Sequence, residues 1–260
     1  MSRRSSRSIP GFLGTPAVII TTSAPLKEAG YRVVAFDQRG YSPEARPSDL
    51  DSYTIPQLTN DVFAIADAIG AKKFHLVGHD WGAVVGWSAV LSNPSRITSW
   101  TALSFPHPAA FGAALLDDPD QQDRSSYVAF FQTPWLPETV FSFNNFGILK
   151  ALLAGMSDEK MKEYINVFSE PGALTSTLNW YRALGDDLLF EVEGVESLEV
   201  KTPTLFLWGN QDQSVGRVAV DGMAELMKGP YTNIELEAGH WLFVDQPERV
   251  ISEILIHIDQ

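Results

Sequence analysis

The stretch from Lys73 to Val85 reads KFHLVGHDWGAVV.

 Its first half, Lys73 to Val77, is a short apolar run with the length of a buried strand. Its second half, from Gly82 to Leu91, is apolar at helical spacing and stops before Asn93-Pro94. Between them stands Gly78-His79-Asp80-Trp81-Gly82, in which two glycines bracket one central side chain. A turn that passes straight from strand to helix brings the two backbones too close for a Cβ, so it selects glycine on either side. It also thrusts its central residue outward, the layout of a nucleophile elbow. Here that residue is Asp80, which could alternatively serve as an N-cap of the following helix.

Outward from this turn, strand and helix alternate. Tyr31–Phe36, Ile97–Leu103, Thr204–Trp208 and Tyr231–Leu236 read as strands, and Ile55–Ile69, Val215–Met227 and Pro247–Ile258 as helices. Such alternation with short loops predicts an α/β fold, a mostly parallel sheet covered by helices on both faces. From Phe105 to Val200 the strand pattern stops. Pro, Trp and Phe are frequent there, and Asp158–Phe168 and Leu174–Leu184 carry helical spacing. This stretch is expected to be a helical lid, residues 105–200, set into a core of residues 11–104 and 201–260, over the carboxyl ends of the strands where ligands bind.

Composition narrows the chemistry. The chain has 260 residues, with 45% hydrophobic and 20% charged, as ordinary globular proteins have. A formal charge of −13 disfavours nucleic acid and anionic membrane as partners. There is no Cys, hence no thiolate nucleophile and no Cys-type zinc site. No apolar run reaches the ~18 residues of a membrane span. Residues 1–10 form an Arg/Ser-rich tail without the apolar core of a secretory signal, so a cytoplasmic protein is expected.

No G-x-S-x-G occurs, and Ser88 lies well inside the helix after the elbow, which disfavours serine esterase chemistry. Asp212 follows the strand Thr204–Trp208, and His240 follows Tyr231–Leu236. Alone, the first reads as a turn residue and the second as a loop histidine. Together with Asp80 they give nucleophile, acid and base in the order of a hydrolase triad, each at a strand's carboxyl end. His75, His79, His107 and His257 read as structural.

These stretches carry a resemblance. Phe36-Asp37-Gln38-Arg39-Gly40-Tyr41-Ser42, the elbow VGHDWG, and the loops WGNQD and AGHW are similar to those of α/β-hydrolases of the epoxide hydrolase family, from about Gly11 onward. Haloalkane dehalogenases resemble them too. In the lid, Tyr127-Val128-Ala129-Phe130-Phe131-Gln132-Thr133-Pro134 and Leu178-Asn179-Trp180-Tyr181-Arg182 resemble the epoxide hydrolase segments that bear two tyrosines facing the epoxide oxygen. The resemblance implies Asp80 as nucleophile, His240 and Asp212 as base and acid, and Tyr127 and Tyr181 as donors to the leaving oxygen. The alternative for the tyrosines is plain lid packing. The oxyanion hole would use the N–H of Trp81 and, from the loop after the family's third strand, that of Phe12. A small apolar epoxide is the implied substrate and a diol its product, with no cofactor, for a monomer or homodimer. Halide release by the same triad, or an inactive hydrolase-like chain, are the alternatives.

Two departures stand out. The family's His-Gly-x-Pro turn is Pro10-Gly11-Phe12-Leu13 here. The fold places three strands before that turn, which takes roughly 20 residues or more, and the ten residues preceding Gly11 do not supply them. The expectation is a sequence that is N-terminally incomplete, with a sheet short of its first strands.

Overall fold

The computed structural model describes residues 23–152, 158–185 and 197–260. In chain order, α1 is Ser23–Glu28, α2 Ile55–Ala68, β1 Phe74–His79, α3 Trp81–Ser92 and β2 Ile97–Leu103. The helices α4 (Pro108–Asp117), α5 (Pro119–Arg124), α6 (Tyr127–Gln132), α7 (Leu136–Leu152), α8 (Asp158–Phe168) and α9 (Ala173–Arg182) follow. Then come β3 (Thr204–Gly209), α10 (Arg217–Asp221), β4 (Tyr231–Leu236), α11 (Leu242–Asp245) and α12 (Pro247–Ile258). The four strands form one parallel sheet in the order β1-β2-β3-β4. The expected α/β fold is therefore present, with every described element between β2 and β3 helical.

Register is what positions the site. His79 pairs with Leu103, Leu103 with Leu207, and Gly209 with Leu236, so the carboxyl ends of the strands finish close together. The loops beginning at Asp80, Ser104, Asn210 and Glu237 thus rise from one edge. Behind them, α3 is buried along ten consecutive residues, Trp81 to Val90, as a helix that is apolar nearly all round must be. A Cβ on Gly86 would run into the Trp100 ring, so the glycine lets α3 lie flat on β2. A Cβ on Gly78 would meet the Gly82 carbonyl, which confirms the close strand-to-helix approach read from the sequence.

Several boundaries move. The expected helix Val215–Met227 is α10 followed by a short 3-10 turn at Ala224–Leu226. Asp80 makes no side-chain cap hydrogen bond to α3, so the capping alternative is not realised. The expected strand Tyr31–Phe36 is not one: these residues carry no regular structure, although α1 leads into them. Among the described residues they have no ladder partner. A cleft of about 350 Å³, lined by Val33, Phe36, Val62, Ile65, Leu76 and Ile254, separates them from β1, and a strand without a ladder partner is no strand. Among the described residues β1 pairs only with β2. The Arg/Ser-rich stretch 1–10 and the turn at Gly11 and Phe12 lie outside the described residues.

Hydrogen exchange should therefore divide β1 by alternate residues. Amides bonded to β2 are expected to be protected at least about tenfold more than those facing the cleft, whose opening costs little. Uniform protection along β1, measured by NMR, would show that its outer edge is covered. Among the described residues no helix is long and apolar enough to cross a membrane.

Candidate active site

Asp80 sits at φ 53° and ψ −123°, a conformation that costs a non-glycine residue about 1–3 kcal/mol and that the packing of β1 against α3 enforces. The result is that its carboxylate leaves the sheet and meets His240. His240 Nε2 lies 3.0 Å from Asp80 Oδ1, and His240 Nδ1 lies 2.9 Å from Asp212 Oδ2. Three residues read separately from three strand ends are thus one hydrogen-bonded line. Asp212 is only 2% exposed, and its Oδ1 accepts from the N–H groups of Ser214 and Val215, which fixes the carboxylate toward the imidazole.

The electrostatics follow from this geometry. Burial disfavours a charged His240, but the Asp212 carboxylate, through charge and hydrogen bond, and then Asp80 outweigh it, and its pKa is pushed up to about 10. Burial alone would raise the Asp80 carboxyl. The hydrogen bond and charge of His240 overcome that and hold it below its ordinary value, with the backbone N–H of Trp81 helping. Both neighbouring carboxyl groups thus favour the protonated imidazole. The Trp81 N–H already points at Asp80, where the sequence expects an oxyanion donor. The second expected donor, Phe12, lies outside the described residues.

Tyr127 and Tyr181 come together with the triad. Asp80, Trp81, His240 and both tyrosines line one cavity of about 40 Å³, whose other walls include Val84, Phe105, Phe111 and Val128. Tyr181 is buried with its ring edge-on to Trp81 at 5.1 Å. Tyr127 leaves 37% of its surface to solvent, yet its ring meets that of Tyr181 at 6.2 Å, and its hydroxyl has Ser214 and Tyr181 as polar neighbours. Burial first, and then the negative charge of Asp80, push both phenols well above their ordinary pKa. Both remain protonated donors across the working pH range.

Side chains that the sequence did not single out hold these parts in place. On α6, Gln132 donates to the carbonyls of Tyr181 (3.1 Å) and Gly185 (2.6 Å), which ties the helix of Tyr127 to that of Tyr181. Arg182 grips both Glu138 oxygens, at 2.8 and 2.9 Å, and the Thr133 carbonyl at 2.9 Å. On α5, fully buried Gln121 donates to the Ser214 carbonyl at 2.9 Å and accepts from the Gly216 N–H at 2.8 Å, and Arg124 donates to the Asp212 carbonyl. A polar residue on a surface-like helix such as Pro119–Arg124 gives no sequence signal of these tertiary bonds.

The profile of the alpha/beta hydrolase fold family matches residues 9–247. Human epoxide hydrolase 4 is 36% identical over 233 residues, covering 85% of this chain and 63% of that protein. The AB hydrolase superfamily protein YfhM of Bacillus subtilis is 34% identical over 242 residues, covering 90% of this chain and 82% of that protein. The crystal structure of a point mutant of an epoxide hydrolase from Bacillus megaterium superposes with a TM-score of 0.83 at 26% identity, covering 92% of this chain and 88% of that one. This chain therefore spans a little under two thirds of the length of the human relative.

Proposed function

Because this chain belongs to the alpha/beta hydrolase fold family, we propose that it opens epoxides to vicinal diols through a covalent ester on Asp80. The observation that carries the reading is the shared cavity, in which a carboxylate nucleophile faces two phenols that stay protonated. An epoxide is strained and offers no carbonyl, so a carboxylate can open it by displacement. Asp80 attacks a ring carbon, the C–O bond breaks, and the alkoxide takes a proton from Tyr127 or Tyr181. Water then attacks the ester carbonyl as His240 removes its proton, with Asp212 holding the imidazole and the Trp81 N–H donating to the oxyanion. After esterification the proton on His240 passes to the phenolate, which frees the imidazole to act as that base. Collapse expels the alkoxide, which takes the proton of the new Asp80 carboxyl and leaves as the diol, and the proton taken from water stays on His240, restoring the starting state.

The order of steps is built into the charges. While Asp80 is ionised, two carboxylates hold the proton on His240. Esterification removes one of those charges, so the pKa of His240 falls and the imidazole becomes a base only when there is an ester to hydrolyse. The small apolar cavity favours a compact apolar epoxide, and larger ones need the helices above it to shift.

The test is a pair of assays on the purified protein: diol formation from a monosubstituted epoxide, and halide release from a 1-haloalkane. Diol without halide is the expected result, and halide release without diol would replace this reading with that of a dehalogenase. Tyr181→Phe is expected to slow alkylation about 10–100-fold, and the double change with Tyr127→Phe about 10³-fold or more, since either phenol alone still donates. Single-turnover measurements check this, and a double variant within about threefold of the parent would remove the phenols from the mechanism. The alkylation rate should be flat from about pH 6 to 9, because Asp80 is ionised and both phenols are protonated throughout.

A further inference from the structure

The His240 carbonyl oxygen is held by two buried donors that the reaction itself does not use. His79 Nε2 lies 2.8 Å from it, and Ser104 Oγ donates to it at 2.8 Å. His79 is 2% exposed and Ser104 fully buried. A carbonyl has two lone pairs, and these two donors use both. His79 ends β1 and directly precedes the nucleophile, whereas Ser104 directly follows β2, so both act from the strand ends that frame the site. Ser104 is fixed in turn by its own N–H, which donates to the Leu207 carbonyl at 2.9 Å, and it bears φ 61°.

We infer that His79 and Ser104 are positioning residues that set the aim of His240 through its backbone, for the ester-hydrolysis step in particular. The tautomer supports this. The carbonyl accepts, so the His79 proton is on Nε2, and Nδ1 is left buried with no partner among the described residues. Leaving a buried polar atom unpaired is unfavourable, and the bond from Nε2 to the His240 carbonyl is what this ring has in return. The His79 ring also packs against those of His240 (4.8 Å), Trp241 (5.0 Å) and Phe243 (4.9 Å), which fixes the whole loop.

The inference rests on the covalent-ester reading and extends it. In the resting site the His240 ring is held at both nitrogens, by Asp80 and Asp212. Once Asp80 is an ester, its charge-assisted bond to Nε2 is gone and Asp212 alone holds the ring. The backbone grip then keeps Nε2 aimed at the water between it and the ester. Loss of the grip therefore matters after alkylation, not before it.

The experiment is rapid-quench mass spectrometry of the full chain with a monosubstituted epoxide, following ester formation and decay on Asp80. Ser104→Ala and His79→Phe are each expected to slow decay about tenfold with ester formation within about twofold, a misalignment effect. His79→Gln, which keeps a donor, should recover most of that loss. Ser104→Ala removes one hydroxyl and serves if His79→Phe does not fold, as judged by its melting curve. Unchanged decay in a folded Ser104→Ala protein, or equal loss of both steps, would overturn the inference. Absence of any ester in the parent protein would instead overturn the covalent reading on which it stands.

Discussion

Asp80→Ala is expected to lower epoxide turnover by at least about 10⁴-fold, the scale on which loss of a nucleophile acts in a triad hydrolase. Among the described residues that line the cavity there is no second carboxylate. Asp212 is buried with both oxygens committed, one to His240 and one to backbone N–H groups. The chain has no Cys, and Ser88 lies inside α3 with its hydroxyl accepting from Thr59. Removing Asp80 also takes away one of the two carboxylates that hold the proton on His240, so its pKa should fall, and NMR titration of the imidazole reads that change independently of activity. If turnover survives Asp80→Ala within about tenfold in a folded protein, the covalent mechanism is wrong.

His240→Gln is expected to split the reaction. Alkylation needs the carboxylate and the phenols, which this change leaves in place, and the amide of Gln roughly matches the imidazole in size. Hydrolysis needs a base, which Gln is not. The ester on Asp80 should therefore accumulate to about one per chain, seen as a mass increase equal to that of the epoxide, with steady-state turnover down by about 10³-fold or more. Loss of both steps together would show that His240 is needed to hold Asp80 ready for attack. A protein that neither alkylates nor turns over, yet melts as the parent does, would point to that second role.

Much of this site was legible in the residues. Gly78 and Gly82 around Asp80 report a tight strand-to-helix turn, and the structure has that turn at that place, where a Cβ on Gly78 would meet the Gly82 carbonyl. The order Asp80, Asp212, His240 was readable because each follows an apolar run that ends at one edge of a parallel sheet. Tyr31–Phe36 was misread for a physical reason: an apolar run records the preference for a strand, whereas a strand requires a partner, and a cleft stands where one would lie. Likewise His79 looked like a structural histidine, since nothing local reveals that its Nε2 reaches a carbonyl 161 residues further on.

The sequence settled what is written in short-range sterics: an α/β chain and a glycine-bracketed elbow with Asp80 at its centre, and it left Asp80 as the proposed nucleophile because no Cys or elbow Ser competes. What the tertiary structure alone decided is proximity and charge. Asp80 and His240 are 160 residues apart, and only the common register of β1 to β4 brings them to 3.0 Å. Their ionisation follows from that meeting, because a carboxylate and an imidazole shift each other only when burial removes the water between them.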